Sequence, residues 1–257
     1  MFSKDKREER NSDKIILDLC GGTGSWSRPY KEAGYTVKLI TLPEFDVTKW
    51  RQYPEIMNTL DNVYGILAAP PCTMFSFART NAKKPRDLDE GMKCVRACLD
   101  IIWLSMETIG PTTNKKPFTL KFWALENPYF GLLKNFLGKP AFIFDPWEFG
   151  DGYQKRTALW GNFNEPKKSP IPMTEEAKAK AKAKTNSFIH KLSLMPSATI
   201  KEDAPLRYKI AHEKARVKFD YLKSKDIHPE AFGKLDRQTR RSITPVGFAK
   251  AFYEANK

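Results

Sequence analysis

The hydrophobic pattern of the first 164 residues alternates between short apolar runs and longer amphipathic segments. Short apolar or β-branched runs bounded by turn residues are typical of buried strands. They predict strands at 14–20, 36–41, 63–69, 122–125 and 141–144, and a last strand after the turn within 150–161. The segments between them predict helices at 26–33, 87–108 and 129–137. Strands that alternate with helices predict an α/β fold with an open, Rossmann-like sheet.

A glycine-rich loop follows the first predicted strand. The segment Gly21-Gly22-Thr23-Gly24 separates this strand from the next helix, and such an arrangement brings backbone N–H groups to a ligand. Glu44 and Asp46 follow the second strand, where folds of this class bind ribose hydroxyls. The pattern predicts a cofactor site. The alternative is a tight turn followed by two surface carboxylates.

The third predicted strand stops at a double proline that is followed directly by a cysteine. Pro70 and Pro71 cannot continue a central strand, so Cys72 lies at its carboxyl end, where open α/β sheets place their chemistry. We predict that Cys72 is a nucleophile. Glu126 and Asn127 follow the next strand, and a carboxylate there is expected in the same cleft. The alternative is that Glu126 only caps a turn.

The loop after Cys72 combines basic and aromatic residues. Its members include Phe75, Phe77, Arg79, Lys83 and Lys84. This combination suits a lid that closes over nucleic acid. The alternative is a polar surface loop whose two phenylalanines belong to the core.

The net charge of the chain indicates a polyanionic partner. The chain of 257 residues has a formal net charge of +14, of which +10 lies in residues 165–257. Nucleic acid is the first expectation for so basic a protein. The alternating Ala-Lys run at 177–184 predicts a helix with two basic stripes, which suits either phosphate contact or simple solvation.

Other features of the sequence argue against several protein classes. Its apolar runs are shorter than the roughly 20 residues that span a bilayer, and the charged segment 1–13 lacks the apolar core of a signal peptide. Four cysteines without a CxxC pair, with only three histidines, argue against a disulfide framework and predict no metal site. Cys94 and Cys98 are predicted to be buried thiols. We expect a reduced, cytoplasmic protein.

Four motifs occur in a defined order along the chain. They are Asp18-Leu-Cys-Gly-Gly-Thr-Gly, Pro70-Pro-Cys-Thr-Met-Phe-Ser, Glu126-Asn-Pro and Gln154-Lys-Arg. With this order and spacing, residues 15–161 resemble the cytosine-5 DNA methyltransferases, and the closing segment from Thr244 resembles them more weakly. The resemblance implies the Rossmann-like fold of S-adenosylmethionine-dependent methyltransferases, in a small form of the phage-like or solitary type.

The activity that the resemblance implies is methyl transfer from S-adenosyl-L-methionine to carbon 5 of cytosine. The substrate would be double-stranded DNA with the target base flipped out, and the enzyme a monomer in the cytoplasm of a bacterial or phage-infected cell. The resemblance divides the chain into a mobile leader at 1–13, a catalytic domain at 14–164, a small, basic, mostly helical recognition region at 165–241, and a closing helix at 242–257 that packs on the catalytic domain.

Roles for individual residues also follow from the resemblance. Cys72 would form a covalent adduct with the ring while Glu126 hydrogen-bonds the ring nitrogen. Asn127 would hold Glu126, and Arg156 would hold the base carbonyl or Glu126. The implied contacts of S-adenosylmethionine are Asp18, Cys20, Gly21, Gly22, Thr23, Gly24, Trp26, Glu44, Asp46 and Pro70. The implied contacts of DNA are Ser76, Arg79, Lys83, Lys84, Gln154, Lys155, Lys180, Lys184, Arg237, Arg240 and Arg241.

Three positions depart from the family's pattern. Pro128 replaces the valine of Glu-Asn-Val, and Ala158 stands where the family has a second arginine. Cys20 stands where an aromatic residue is common, so Trp26 is expected to stack on the cofactor instead.

Other functions of the same fold stay open. The lost arginine favours a catalytically impaired, methyltransferase-like protein that only binds nucleic acid, and charge alone does not separate DNA from RNA as the substrate of a cytosine-5 methyltransferase. An amino-methyltransferase is disfavoured, because the segment Ala69-Pro-Pro-Cys72 has neither the acceptor residue nor the aromatic residue of that class.

Overall fold

The structure, a computed structural model, describes residues 10–77, 84–106, 120–153, 155–170, 234–235 and 237–257. Five of the predicted DNA contacts lie outside the described residues: Arg79, Lys83, Gln154, Lys180 and Lys184. The side chains of Arg237 and Arg241, and most of the predicted recognition region, lie outside them as well.

A six-stranded mixed sheet organises the described residues. Its strands are β1 (Ile15–Leu19), β2 (Thr36–Ile40), β3 (Val63–Ala68), β4 (Phe122–Pro128), β5 (Phe142–Phe144) and β6 (Thr157–Asn162), in the order β2-β1-β3-β4-β6-β5. The first four run parallel, whereas β6 is antiparallel to both β4 and β5. The predicted α/β class is confirmed, and the parallel part of the sheet is compatible with a Rossmann-like fold.

Strand β4 extends beyond its predicted end at residue 125. Its pairing with β3 runs to the pair Ala68–Leu125, but its antiparallel pairing with β6 continues through Glu126, Asn127 and Pro128. The motif that was expected to follow the strand therefore forms its last three residues, because β6 provides hydrogen-bond partners on the other side.

The helices of the described part of the chain are α1 (Arg28–Glu32), α2 (Pro54–Met57), α3 (Leu88–Met106), α4 (Lys134–Leu137), α5 (Arg237–Ser242) and α6 (Val246–Ala255), with 3-10 helices at Asn11–Asp13, Val47–Gln52, Leu60–Asn62 and Pro146–Phe149. Helices α1 and α4 are shorter than the sequence pattern predicts, whereas the closing helix α6 is present as expected. Turns of the glycine loop replace the start of the helix predicted at 26–33. Residues 130–132 hydrogen-bond to residues 75–77, which leaves only α4 of the helix predicted at 129–137.

Helix α3 and its neighbours contribute an aliphatic core. This core includes Val95, Cys98, Ile101 and Ile102 of α3 together with Leu17, Ile66, Ala68, Leu125 and Ala158 of the sheet. Cys98 is fully buried, as predicted, and Cys94 is half-buried.

Helix α6 packs through aromatic side chains. Phe248 and Phe252 are fully buried. The Phe248 ring lies 3.9 Å from that of Phe144, and the Phe252 ring lies 5.8 Å from that of Phe122 (centroid distances). The start of the helix is tied to the glycine loop, because the Thr244 backbone N–H donates to the Ser25 hydroxyl at 2.8 Å. The closing helix thus supports both the sheet and this loop.

The described residues divide into two compact units. The first unit, which we call the sheet unit, contains the described residues up to Phe144, together with Arg156–Lys168 and residues 237–257. The second unit contains the described residues of Asp145–Lys155, together with residues 169–170 and 234–235. The segment predicted as one catalytic domain, 14–164, therefore contributes to both units. In the second unit, Asp145 and Glu148 form a reciprocal capping box at the start of a 3-10 helix.

Among the residues that the structure describes, none of the helices has the length and hydrophobicity required to cross a bilayer.

Candidate active site

Three parallel strands end at the same edge of the sheet. The registers Leu19–Ala68 and Ala68–Leu125 place the ends of β1 and β3 level with Leu125 of β4, and β4 continues three residues farther. The chain leaves β1 toward β2 on one side, while β3 lies on the other side, so the strand order reverses here. In open α/β sheets the crevice at such a reversal, beyond the carboxyl ends of the strands, is the usual ligand site.

The glycine loop leaves β1 in an unusual backbone conformation. Cys20, Gly22 and Gly24 have φ values of +56°, +55° and +67°. A left-handed Cys20 is uncommon for a residue with a Cβ atom. Its side chain packs against the aliphatic core that includes α3, and the Cys20 thiol contributes to raising the pKa of Cys98 there. Cys20 can therefore serve a ligand through its backbone, while its sulfur belongs to the helix contact.

A buried carboxyl group lies beneath the loop. Asp18 is fully buried and accepts a hydrogen bond from the Ser27 hydroxyl at 2.5 Å. A Cβ atom on Gly21 would lie 2.3 Å from this carboxyl group, so only glycine fits there. Burial raises the pKa of Asp18 to about 6. The prediction that Asp18 contacts the cofactor is wrong, because the side chain is enclosed; it supports Gly21 from below.

Two further predicted cofactor contacts have structural roles. Trp26 is only 2% exposed, and its ring lies 5.4 Å from that of Phe252, so it is a core residue and the prediction that it stacks on a ligand is wrong. The Asp46 carboxylate accepts hydrogen bonds from the backbone N–H and the hydroxyl of Thr48, at 3.0 and 2.7 Å. These bonds lower its pKa and cap the 3-10 helix that follows. Glu44 is exposed beyond β2.

Cys72 begins a single helical turn. Its backbone carbonyl accepts hydrogen bonds from the N–H groups of Phe75 at 3.0 Å and Ser76 at 2.9 Å. Phe75 is fully buried, whereas Cys72 is half-buried. Gly91 of α3 approaches so closely that a Cβ atom on it would lie 2.8 Å from the Met74 Cβ. We call residues 72–76 the Cys72 turn.

Arg86 and the segment after β4 hold the Cys72 turn from two directions. The Arg86 guanidinium donates to the backbone carbonyls of Met74 and Ser76, the latter at 3.1 Å. Ser76 forms an antiparallel bridge with Gly131. Arg86 was not among the predicted site residues, because recognition of backbone carbonyls by a side chain leaves no local sequence pattern.

Asn127 links β4 to the chain just before Cys72. Its side-chain N–H donates to the Pro70 carbonyl at 3.0 Å, and the residue is 1% exposed. The prediction that Asn127 holds Glu126 is therefore corrected: successive strand residues point to opposite faces of the sheet, and Asn127 positions Pro70. The Asn127 Oδ1 atom is buried and has no hydrogen-bond partner among the described residues.

Glu126 and Arg156 lie at the same end of the sheet. The register of β3 and β4 places Glu126, which is half-buried, level with Ala69. Arg156 directly precedes β6; its carbonyl accepts from the Tyr129 N–H at 3.0 Å, and its guanidinium lies 5.7 Å from the centroid of the Tyr129 ring. The position of the missing second arginine, Ala158, is fully buried in the aliphatic core, where an unpaired charge would be costly.

The remaining predicted contacts are spread along the chain. Gly22 and Thr23 are exposed at the top of the glycine loop, and Pro70 is buried. Lys84 is exposed and precedes Arg86 by two residues, Arg240 is half-buried in α5, and Lys155 belongs to the second unit. In the described part of the chain, no cluster of three or more His, Cys, Asp or Glu side chains could hold a metal ion.

Comparison with known proteins adds no family to this description. The sequence matches no protein-family model, and no curated protein matches it.

The buried carboxyl group of Asp18 predicts a pH-dependent term in stability. Because its pKa is raised to about 6 in the folded state, folding favours the protonated form; the stabilisation is complete below the pKa of the unfolded chain and is lost as pH rises through about 6. Relative to Asp18→Asn, the wild type should lose about 3 kcal/mol of unfolding free energy between about pH 4 and pH 7. Urea denaturation of both proteins measures this difference, and a pH-independent difference would contradict the assignment.

The two carbonyl contacts of Arg86 predict an effect on Cys72. Arg86→Ala should release the Cys72 turn, and a loss of about 1.4 kcal/mol in local stability raises the open population about tenfold. Alkylation of Cys72 by iodoacetamide, followed by peptide mass spectrometry, should accelerate accordingly. Arg96→Ala is the control, because exposed Arg96 makes a single carbonyl contact at 3.5 Å. Equal alkylation rates in the two variants would show that Arg86 does not hold the turn.

Proposed function

We propose that this protein transfers a methyl group from S-adenosyl-L-methionine to carbon 5 of cytosine in DNA, through a covalent adduct between Cys72 and a flipped-out base. The observation that carries the proposal is the alignment of β1, β3 and β4, which brings the glycine loop, the Cys72 turn and Glu126 to one edge of the sheet. These are the same segments on which the resemblance to cytosine-5 methyltransferases rests.

The glycine loop fits an adenosyl cofactor by its backbone. Positive φ values at Cys20, Gly22 and Gly24 and the close approach of Gly21 to Asp18 form a narrow loop without bulky side chains. Exposed Glu44 beyond β2 is suitably placed in the fold for a ribose contact. When bound there, S-adenosylmethionine would supply an electrophilic methyl group.

Cys72 and Glu126 would act on the pyrimidine ring. Addition of the Cys72 thiolate to carbon 6 forms a carbon–sulfur bond and makes carbon 5 nucleophilic, while Glu126 hydrogen-bonds the ring nitrogen and helps the ring accept the electron pair. After carbon 5 is methylated, loss of its proton and of the thiolate restores the aromatic ring. Asn127 and Arg86 hold the backbone on either side of Cys72 during these steps.

A second candidate is a protein that binds nucleic acid without methylating it. The specific observation in its favour is Ala158, whose buried position lacks the second arginine of the family. The two candidates differ in what they require of Cys72, because binding alone needs no nucleophile. An RNA cytosine-5 methyltransferase would share the chemistry and differ only in the polymer that is modified.

The proposed role of Cys72 predicts that its substitution abolishes methyl transfer but leaves DNA binding intact. With labelled S-adenosylmethionine and mixed-sequence DNA or RNA, nucleoside analysis should detect 5-methylcytosine in DNA, and Cys72→Ser should reduce it to background. DNA affinity, measured by fluorescence anisotropy, should be largely unchanged. Cys94→Ser is the control, since Cys94 is another half-buried thiol. Methylation by Cys72→Ser would disprove covalent catalysis at Cys72, and wild-type binding without methylation would favour the second candidate.

Two glycines allow a matched test of the cofactor loop. Gly22 and Gly34 have φ values of +55° and +86°, and a Cβ atom on either would meet none of the described atoms within 4 Å. Substitution by Ala should therefore cause similar backbone strain, of about 1–2 kcal/mol, but only Gly22 lies in the loop. Gly22→Ala should weaken S-adenosylmethionine binding about tenfold by calorimetry, and Gly34→Ala should not. Equal affinities of the two variants for S-adenosylmethionine would show that the cofactor does not bind at the glycine loop.

A further inference from the structure

Two exposed phenylalanines lie opposite one another in the short backbone pairing next to the Cys72 turn. Phe77 is 56% and Phe130 is 37% exposed, whereas neighbouring Phe75 is fully buried. The Phe77 N–H donates to the Phe130 carbonyl at 3.4 Å, beside the antiparallel bridge between Ser76 and Gly131. Residues opposite one another in an antiparallel pair project from the same face, so the Phe77 and Phe130 side chains leave the backbone on the same side.

A third ring extends this pair toward two cations. The Tyr129 ring lies 5.2 Å from the Phe130 ring, nearly edge to face. Lys134 and Arg156 lie over Tyr129, at 5.1 and 5.7 Å from its centroid. We call Phe77, Tyr129 and Phe130 the aromatic strip. Tyr129 is half-buried, whereas Phe77 and Phe130 are exposed. Single exposed apolar residues are ordinary on a protein surface, but exposed rings close to cations are typical of a surface that binds nucleic acid.

The aromatic strip continues both segments that carry the proposed catalytic groups. Phe77 follows Cys72 by five residues, and Phe130 follows Glu126 by four. A base that leaves a duplex for chemistry unstacks its neighbours and leaves its pairing partner exposed. Aromatic side chains stack on any base because every base has a π-face, and Lys or Arg beside them neutralise the phosphates. A net charge of +14 favours such a polyanionic occupant over an apolar one.

We propose that the aromatic strip binds, by stacking, the unpaired DNA bases that flank the cytosine attacked by Cys72. This inference rests on the proposed function and extends it: the protein prefers DNA that is already opened at the target, such as a mismatch, a gap or a single strand, over a fully paired duplex. The Lys134 and Arg156 side chains contribute the phosphate contacts next to the stacked bases.

Binding to labelled oligonucleotides tests the strip directly. The probes are a paired duplex, the same duplex with unpaired bases beside one cytosine, and a DNA or RNA single strand. Wild-type protein should bind the opened duplex and the DNA strand more tightly than the paired duplex. Phe77→Ala and Phe130→Ala should each lose at least about fivefold affinity for the opened probes, whereas Phe136→Ala, a 48% exposed phenylalanine of α4, is the control. Phe77→Leu, which keeps an apolar side chain but removes the ring, should also lose affinity.

Salt dependence separates stacking from charge. In the two Phe→Ala variants the slope of log affinity against log salt concentration should match the wild type, whereas Lys134→Ala should reduce the slope by about one. The inference would be overturned if the wild type and both Phe→Ala variants bound opened DNA with equal affinity. It would also be overturned if the variants lost as much affinity for the paired duplex as for opened DNA, or if they lost affinity only for RNA. If the Phe→Ala changes weaken DNA binding but the wild type does not methylate DNA, the inference about the strip stands and only the proposed function is overturned. If the wild type methylates DNA and the Phe→Ala changes have no effect on binding, the proposed function stands and the inference about the strip is overturned.

Discussion

The candidate site depends on the common level to which β1, β3 and β4 are paired in parallel. Parallel ladder bonds fix this level as far as Leu19, Ala68 and Leu125. The ladder pairs of β3 and β4 stop there, and the buried hydrogen bond from Asn127 to the Pro70 carbonyl joins the two segments beyond it. It is a side-chain substitute for the next ladder bond, and it fixes the chain two residues before Cys72. Cys72 is thereby positioned by the sheet, although it lies outside the strands.

The edge of the sheet carries features that cost stability. Asp18 is buried, with one carboxyl oxygen that has no hydrogen-bond partner among the described residues, and Cys20 adopts a left-handed conformation. Such costs persist where surrounding packing enforces them, and they concentrate at functional sites. Here the packing comes from α6, whose Phe248 and Phe252 enclose Trp26 and whose start is bonded to Ser25. The packing of the aromatic face of α6 therefore offsets the unfavourable features of the glycine loop.

The elements around Cys72 form a continuous surface rather than a set of separate contacts. The Cys72 turn passes into Phe77, and the end of β4 passes into Tyr129 and Phe130, so the segments that would react and the rings that would stack are joined through one short antiparallel pairing. Arg86 secures this arrangement by two backbone carbonyls. A chemistry that requires an opened duplex would gain from this continuity, because holding the displaced bases and attacking the target use the same rigid support.

The α/β class, the presence of six strands, the position of Cys72 after β3 and the burial of Cys98 could be predicted from the sequence, because apolar periodicity and proline positions are local properties of the chain. The end of β4 could not, because its last three residues pair with β6. The sequence did not determine the hydrogen-bond partners. Asp18 and Trp26 were expected at a ligand and lie in the interior, whereas Arg86 and the Asn127–Pro70 contact left no local pattern. These roles became clear from the folded chain, because strand register and contacts between residues far apart in the sequence set which polar groups meet.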